Sequence, residues 1–128
     1  MKLLIDTHAL LWIMGNHPRL SNAARTAITD LSNDCYLSVV SVWEAATKHR
    51  SGKLPEAAPL VANPARILAG LRLTPLPLEL EHAHLAGSMT AAHKDPFDRM
   101  LAAQCRLENL SLVTVDPAFR EFGIDIIW

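Results

Sequence analysis

The sequence predicts an α/β protein of three layers, with helices on both faces of a central, mainly parallel sheet. Three observations carry that prediction. Short apolar runs of strand length, such as Leu3-Leu4-Ile5 and Leu110 to Val115, alternate with segments of helical periodicity. The strands are separated by helices rather than tight turns, which calls for βαβ crossovers and parallel neighbours. Half of the 128 residues are apolar and a fifth are charged, a balance that folds around a core instead of remaining disordered.

Each element has a local reason. Leu3-Leu4-Ile5 is a buried strand that ends at Asp6. His8 to Met14 is a helix stopped by Gly15-Asn16, with Pro18 beyond. Ser21 is a good N-cap for a helix from Asn22 to Leu31. Cys35 to Val39 is the second strand. Ser41 then caps a helix from Val42 to about Ser51, closed by Gly52. Residues 53–64, rich in Pro and Ala, form a connection, and Ala65 to Leu71 a short helix. Leu73 to Leu78 is a third strand, which Pro75 and Pro77 assign to an edge. Glu79 to Thr90 and Phe97 to Glu108 are helices with a loop between them. Leu110 to Val115 is a buried strand ending at Asp116. A short helical turn follows, and Ile124 to Ile127 is the last strand. No repeat or linker divides the chain, so residues 1–128 are expected to form a single domain.

Composition excludes several function classes. A net charge of -1 offers no bulk attraction to nucleic acid or anionic membrane, so such a partner must meet a local patch. Cys35 and Cys105 are too few for a disulfide scaffold or a zinc site and are expected to be buried thiols. No apolar stretch reaches the roughly 18 residues of a membrane span. The apolar run at the start is cut short by Asp6, against a signal peptide. The expected compartment is the cytoplasm, with no membrane partner.

In open parallel sheets, ligands bind beyond the carboxyl ends of the strands. Asp6 follows the first strand and Asp116 the strand Leu110 to Val115. Glu44 lies one turn into the helix after the second strand, and Asp98 opens the helix before Leu110. Each acid also has a structural use. Asp6 suits a helix cap, Asp116-Pro117 a turn, and Glu44 the first turn of its helix, where the dipole favours an acid. Asp95-Pro96-Phe97-Asp98 reads as an N-cap, a proline at N1 and an acid at N3. Helix geometry argues for more at Asp98. At about 100° per residue, Leu101, Ala102 and Cys105 lie within roughly 60° of it, on the stripe that must face the sheet. Glu44 shares a stripe with Ser41 and Lys48. Carboxylates gathered at one sheet end repel one another. A hard divalent cation removes that repulsion, and an all-oxygen donor set favours Mg²⁺ or Mn²⁺ over zinc. Such a site suits phosphodiester hydrolysis.

Four segments carry a resemblance. They are Leu4-Ile5-Asp6-Thr7-His8-Ala9-Leu10-Leu11-Trp12, Ser41-Val42-Trp43-Glu44 with Lys48 and Gly52-Lys53-Leu54, His93-Lys94-Asp95-Pro96-Phe97-Asp98-Arg99-Met100-Leu101-Ala102-Ala103-Gln104, and Leu112-Val113-Thr114-Val115-Asp116. Together, in this order, the chain resembles a PIN-domain ribonuclease, most closely the VapC toxin of bacterial VapBC toxin–antitoxin pairs. The resemblance runs from residue 3 to the C-terminal Trp128. It implies a PIN-like fold and a catalytic, metal-binding quartet of Asp6, Glu44, Asp98 and Asp116, with the hydroxyl of Thr114 beside the last acid. It also implies an Mg²⁺-dependent endoribonuclease acting on single-stranded regions of RNA. A homodimer, and inhibition by a cognate antitoxin whose tail covers the site, complete the expectation. Asp95 is read as the helix cap and Asp98 as the third acid.

Lys48, Arg50, Lys53, Lys94 and Arg99 are the cations nearest these motifs, candidates for phosphate contacts; Lys48 and Arg99 are also candidates for active-site support. Arg99 has a second reading, as partner of the antitoxin or of a neighbouring acid. His8, His82, His84 and His93 show no spacing that closes a metal site. Trp12 and Trp43 are read as core side chains rather than base-stacking ones. Neither Ser41 nor Thr7 has the His and Asp neighbours of a triad. Two other classes fit the topology: a receiver domain phosphorylated on Asp, and a binding module. A receiver pairs acids at the end of its first strand, whereas Thr7 and His8 follow Asp6. A binding module leaves Glu44 and Asp98 on inward stripes without a reason.

Overall fold

The computed structural model describes residues 1–128. Along the chain lie β1 (Lys2–Ile5), α1 (Thr7–Met14), α2 (Asn22–Thr29), β2 (Asp34–Ser38), α3 (Val39–Arg50), a 3₁₀ turn (Pro55–Ala57), α4 (Ala58–Ala62) and α5 (Pro64–Gly70). Then follow β3 (Thr74–Leu76), α6 (Leu80–Ser88), α7 (Pro96–Glu108), β4 (Ser111–Val113), a second 3₁₀ turn (Pro117–Phe122) and β5 (Ile126–Ile127). The sheet order is β3-β2-β1-β4-β5. All four ladders are parallel, so the sheet is wholly parallel. Pro75 sits in the edge strand β3, where a missing N–H is tolerated.

β1 is central because its apolar run serves two cores. Leu3, Leu4 and Ile5 are all fully buried. Alternate strand residues point to opposite faces. Leu3 and Ile5 therefore join Leu10, Leu11, Ala24, Ile28, Leu60 and Leu68 from α1, α2, α4 and α5. Leu4 joins Ala86, Leu101, Ala102 and Cys105 from α6 and α7 on the other face. Truncating one of these leucines to Ala costs about 2–5 kcal/mol. Both cysteines are free and buried, as expected, and burial pushes the Cys105 thiol up to about 12.

The structure corrects four local readings. The cap of α3 is Ser38, not Ser41: the Ser38 Oγ accepts the Val40 N–H at 3.0 Å. β2 stops where its partner stops, at the pair Ser38–Leu76, so Val39 and Val40 turn into the helix. Glu44 thereby moves to the second turn of α3, beyond the reach of the terminal dipole. Residues 53–64 are not a plain connection. They hold a 3₁₀ turn and α4, and Leu54, Ala57 and Leu60 enter the core. The prolines there occupy first-turn positions, where no N–H is needed.

Candidate active site

From β1 the chain builds outward through β2 to β3, then crosses to β4 on the other side of β1. The crevice between the carboxyl ends of β1 and β4 is thus a topological switch point, where such sheets bind ligands. Asp6 directly follows β1, and Asp116 follows β4. α3 brings Glu44 from beside β2, and α7 brings Asp98 on its first turn. A cleft of about 180 Å³ there is lined by Asp6, Thr7, His8, Glu44, Lys48, Asp95, Asp98 and Asp116, with Leu101, Val115 and Phe119. The four acids read from the sequence thus line one cleft, together with Asp95.

Each acid is held by the local structure that brings it there. Asp6 is the N-cap of α1, its Oδ1 accepting the Ala9 N–H at 2.7 Å. Asp116 caps the second 3₁₀ turn through the Ala118 N–H at 2.9 Å. Its own N–H donates to the Thr114 hydroxyl at 3.1 Å. Thr114 is fully buried, and its hydroxyl lies near enough to Asp6 to lower that carboxyl's pKa. Asp95 is the cap of α7, accepting the Asp98 N–H at 3.1 Å. That leaves the Asp98 side chain free of capping duty, and its Oδ2 meets His93 Nε2 at 2.8 Å. Glu44 differs from the aspartates in having both oxygens engaged. Oε1 accepts from the Thr7 hydroxyl at 2.6 Å, and Oε2 meets Lys48 Nζ at 2.5 Å.

Burial pushes the Asp6 carboxyl up to about 6; hydrogen bonds from Thr114 and Ala9 and the charge of His8 oppose the rise, and Asp98 adds to it. Asp98 is also raised, first by burial and then by Asp95 and Glu44, against the bond to His93. Burial disfavours the Lys48 charge, but Glu44, Asp95 and Asp98 outweigh it and raise its pKa. The cleft therefore holds an uncompensated excess of negative charge that Lys48 only partly relieves.

No three His, Cys, Asp or Glu side chains stand close enough together, as they lie, to hold a metal ion. The donor set nevertheless fits a hard divalent cation. It consists of carboxylate oxygens, and Asp98 and Asp116 each have one oxygen pinned and the other without a protein donor. Mg²⁺ usually retains several waters and takes only one or two protein carboxylates, so an open arrangement suits it.

Two predicted roles are corrected here. Arg99 does not face the cleft as a phosphate ligand. Its guanidinium donates to the carbonyls of Ala86, Met89, Ala91 and His93 at 2.5–2.9 Å and so organises the segment between α6 and α7. Trp43 is not a core side chain: it is 61% exposed, edge-on to Phe97 with ring centroids 4.9 Å apart. Trp12 does pack against the core, beside Trp128. Arg50, Lys53 and Lys94 are exposed and outside the cleft lining. Sequence reasoning missed Thr7 and His93 as partners of the acids. Both lie within the quoted motifs, one and five residues from an acid, which was the only signal available. Ser41 is buried with no partner for its hydroxyl, and nothing in the structure explains it.

Comparison with known proteins bears on the family and the fold. The PIN domain family model matches residues 3–125. Ribonuclease VapC16 of Mycobacterium tuberculosis is 39% identical over 75 residues, covering 55% of this chain and 51% of that protein. The match thus spans about half the length of that relative. Among solved structures, VapBC2 from Rickettsia felis, bound to a DNA fragment from its promoter, superposes with a TM-score of 0.72 at 16% identity, covering 98% of this chain and 97% of that one. Mycobacterium tuberculosis VapC20, a sarcin-ricin loop cleaving toxin, has a TM-score of 0.68 at 12% identity, with 95% of each chain covered. These two likenesses share the fold. With the family model matched over residues 3–125, nearly the whole of this chain, the chain belongs to the PIN-domain family.

Proposed function

We propose that this protein is a metal-dependent endoribonuclease of the VapC kind, hydrolysing phosphodiester bonds in unpaired regions of RNA. The single observation that supports this most is the convergence of Asp6, Glu44, Asp98 and Asp116 on one cleft at the switch point. Asp6, Asp98 and Asp116 would hold Mg²⁺, or Mn²⁺ in its place. Glu44 would join them by sharing an oxygen now bonded to Thr7 or Lys48. The ion would neutralise charge on the phosphate and ease ionisation of the attacking water. Lys48, beside Glu44, supplies a positive charge at the rim for a second phosphate oxygen. The Thr114 hydroxyl lies near both Asp6 and Asp116. A cognate antitoxin that covers the cleft, a homodimeric assembly and a cytoplasmic setting complete this reading. No helix is long and apolar enough to cross a membrane.

The test is cleavage of an RNA with unpaired regions by the purified protein free of antitoxin. Cutting should require Mg²⁺ or Mn²⁺ and stop in excess chelator. Ca²⁺ should support little turnover, because its coordination is looser. Cutting that persists in chelator would overturn the proposal.

A further inference from the structure

His93 is tied down at three points. Its N–H donates to Glu121 Oε1 at 2.8 Å. Its carbonyl accepts from the Arg99 guanidinium at 2.8 Å. Its ring Nε2 meets Asp98 Oδ2 at 2.8 Å. The ring lies against Phe119 and Phe122, with centroids 6.1 and 5.4 Å away, and the side chain is 19% exposed. An ionised Asp98 carboxylate only accepts, so with it Nε2 carries the proton and donates. No other protein donor reaches the Asp98 carboxylate, and the capping bond at this helix end belongs to Asp95.

We infer that His93 is a positioning residue: it fixes the Asp98 carboxylate in one orientation within the acid cluster, and Arg99 and Glu121 hold His93 there. This rests on the proposal that the acids bind a divalent cation. Asp98 stands on the first turn of α7, where two side-chain torsions are free unless something holds them. Repulsion from Asp95 and Glu44 would otherwise turn it away from the cleft. Hydrogen-bonded partners of metal-ligating groups orient them in this way, and losing one costs about 10–100-fold in metal affinity or activity. Arg99 explains how a loop histidine becomes rigid enough for the task. Four carbonyls between Ala86 and His93 converge on one guanidinium, a geometry that a lysine cannot satisfy.

The experiment is Mn²⁺ binding to the metal-free protein, followed by electron paramagnetic resonance of the free ion. Wild type is compared with His93→Phe, which keeps an aromatic ring against Phe119 and Phe122 but has no donor. His93→Gln, which keeps an N–H near the Nε2 position, is the second variant. The Phe variant should bind about 10–100-fold more weakly at an unchanged thermal midpoint, and Gln should recover most of the loss. In RNA cleavage, the Phe variant should need more Mn²⁺ for half-maximal activity, with KM for RNA unchanged at saturating metal. If the Phe variant does not fold, His93→Ala takes its place against Gln. Phe or Ala binding within about twofold of wild type overturns the inference and leaves the metal site standing; so does a Gln variant no better than either. A wild-type protein that binds no Mn²⁺ overturns the metal site and the inference together.

Discussion

The two ends of α7 carry the same pairing in different surroundings. At the C-terminal end, His82 Nε2 meets Glu108 Oε1 at 2.9 Å; at the N-terminal end, His93 Nε2 meets Asp98 Oδ2 at 2.8 Å. His82 is 1% exposed, and its Nδ1 accepts the Glu79 N–H at the start of α6. Glu108 is 43% exposed and stands outside the acidic cleft. There the bond satisfies a buried histidine, and the acid is the accessory. At the other end, Asp98 sits among Asp6, Asp95, Glu44 and Asp116, and the histidine serves the acid. One hydrogen-bond type thus closes a packing problem at one end of the helix and, in the function proposed above, orients a metal-binding acid at the other. What surrounds the carboxylate decides which.

The largest expected effect separates the two acids directly. Asp98→Asn keeps shape and packing but loses the charge that would hold the proposed cation, so RNA cleavage should fall by about a hundredfold or more. Glu108→Gln should leave the cleavage rate within about twofold. Equal losses from both would erase the distinction between the two ends.

The cleft end should also show its charge in stability without metal. Asp6 has a pKa of about 6 in the folded protein against 3.8 as its ordinary value. The folded state therefore binds more protons than the unfolded state between those values, and stability falls as pH rises through that window. The contribution is fully present below about pH 4 and is lost above about pH 6, an amount of about 3 kcal/mol. Denaturant unfolding in chelator at several pH values should show the decline. Asp6→Asn, which retains an acceptor for the Ala9 N–H, should flatten it and raise stability at pH 7. Mg²⁺ should raise the wild-type midpoint more than that of the variant. A loss of stability at pH 7 would make Asp6 a cap and nothing more.

At the other end of α7, His82→Leu leaves the Glu79 N–H without its acceptor and should cost about 1–3 kcal/mol by thermal or chemical unfolding. The cleavage rate per folded molecule should stay at the wild-type level. The smallest effect belongs to Asp95→Ala. It removes the N-cap of α7 and should cost about 0.5–2 kcal/mol, while cleavage survives at a reduced level. A stable but inactive Asp95→Ala, with an unstable but active Asp98→Asn, would exchange the roles of the two acids.

The amino-acid order by itself determined what depends on neighbours along the chain. The run Leu3-Leu4-Ile5, flanked by helical periodicity, specifies a central parallel strand because only a doubly covered sheet buries three consecutive apolar residues. Asp95-Pro96 specifies the start of α7, since a capping acceptor and a preset φ act within one turn. The apolar spacing after Asp98 places that acid on the inward side, and the structure leaves it only 24% exposed. Tertiary structure decided what depends on groups distant in sequence. β2 ends at Ser38 because the paired segment of β3 ends at Leu76, which moves the cap from Ser41 and Glu44 into the second turn. Trp43 faces outward because the inward side of α3 is taken by Val40, Ser41, Glu44 and Ala45. Arg99 turns to four carbonyls rather than to a phosphate because the segment after α6 folds back around it. His93 and Thr7 become partners of Asp98 and Glu44 through hydrogen bonds that demand about 3 Å and a direction. Such a condition depends on three-dimensional placement, which residue type and spacing do not express.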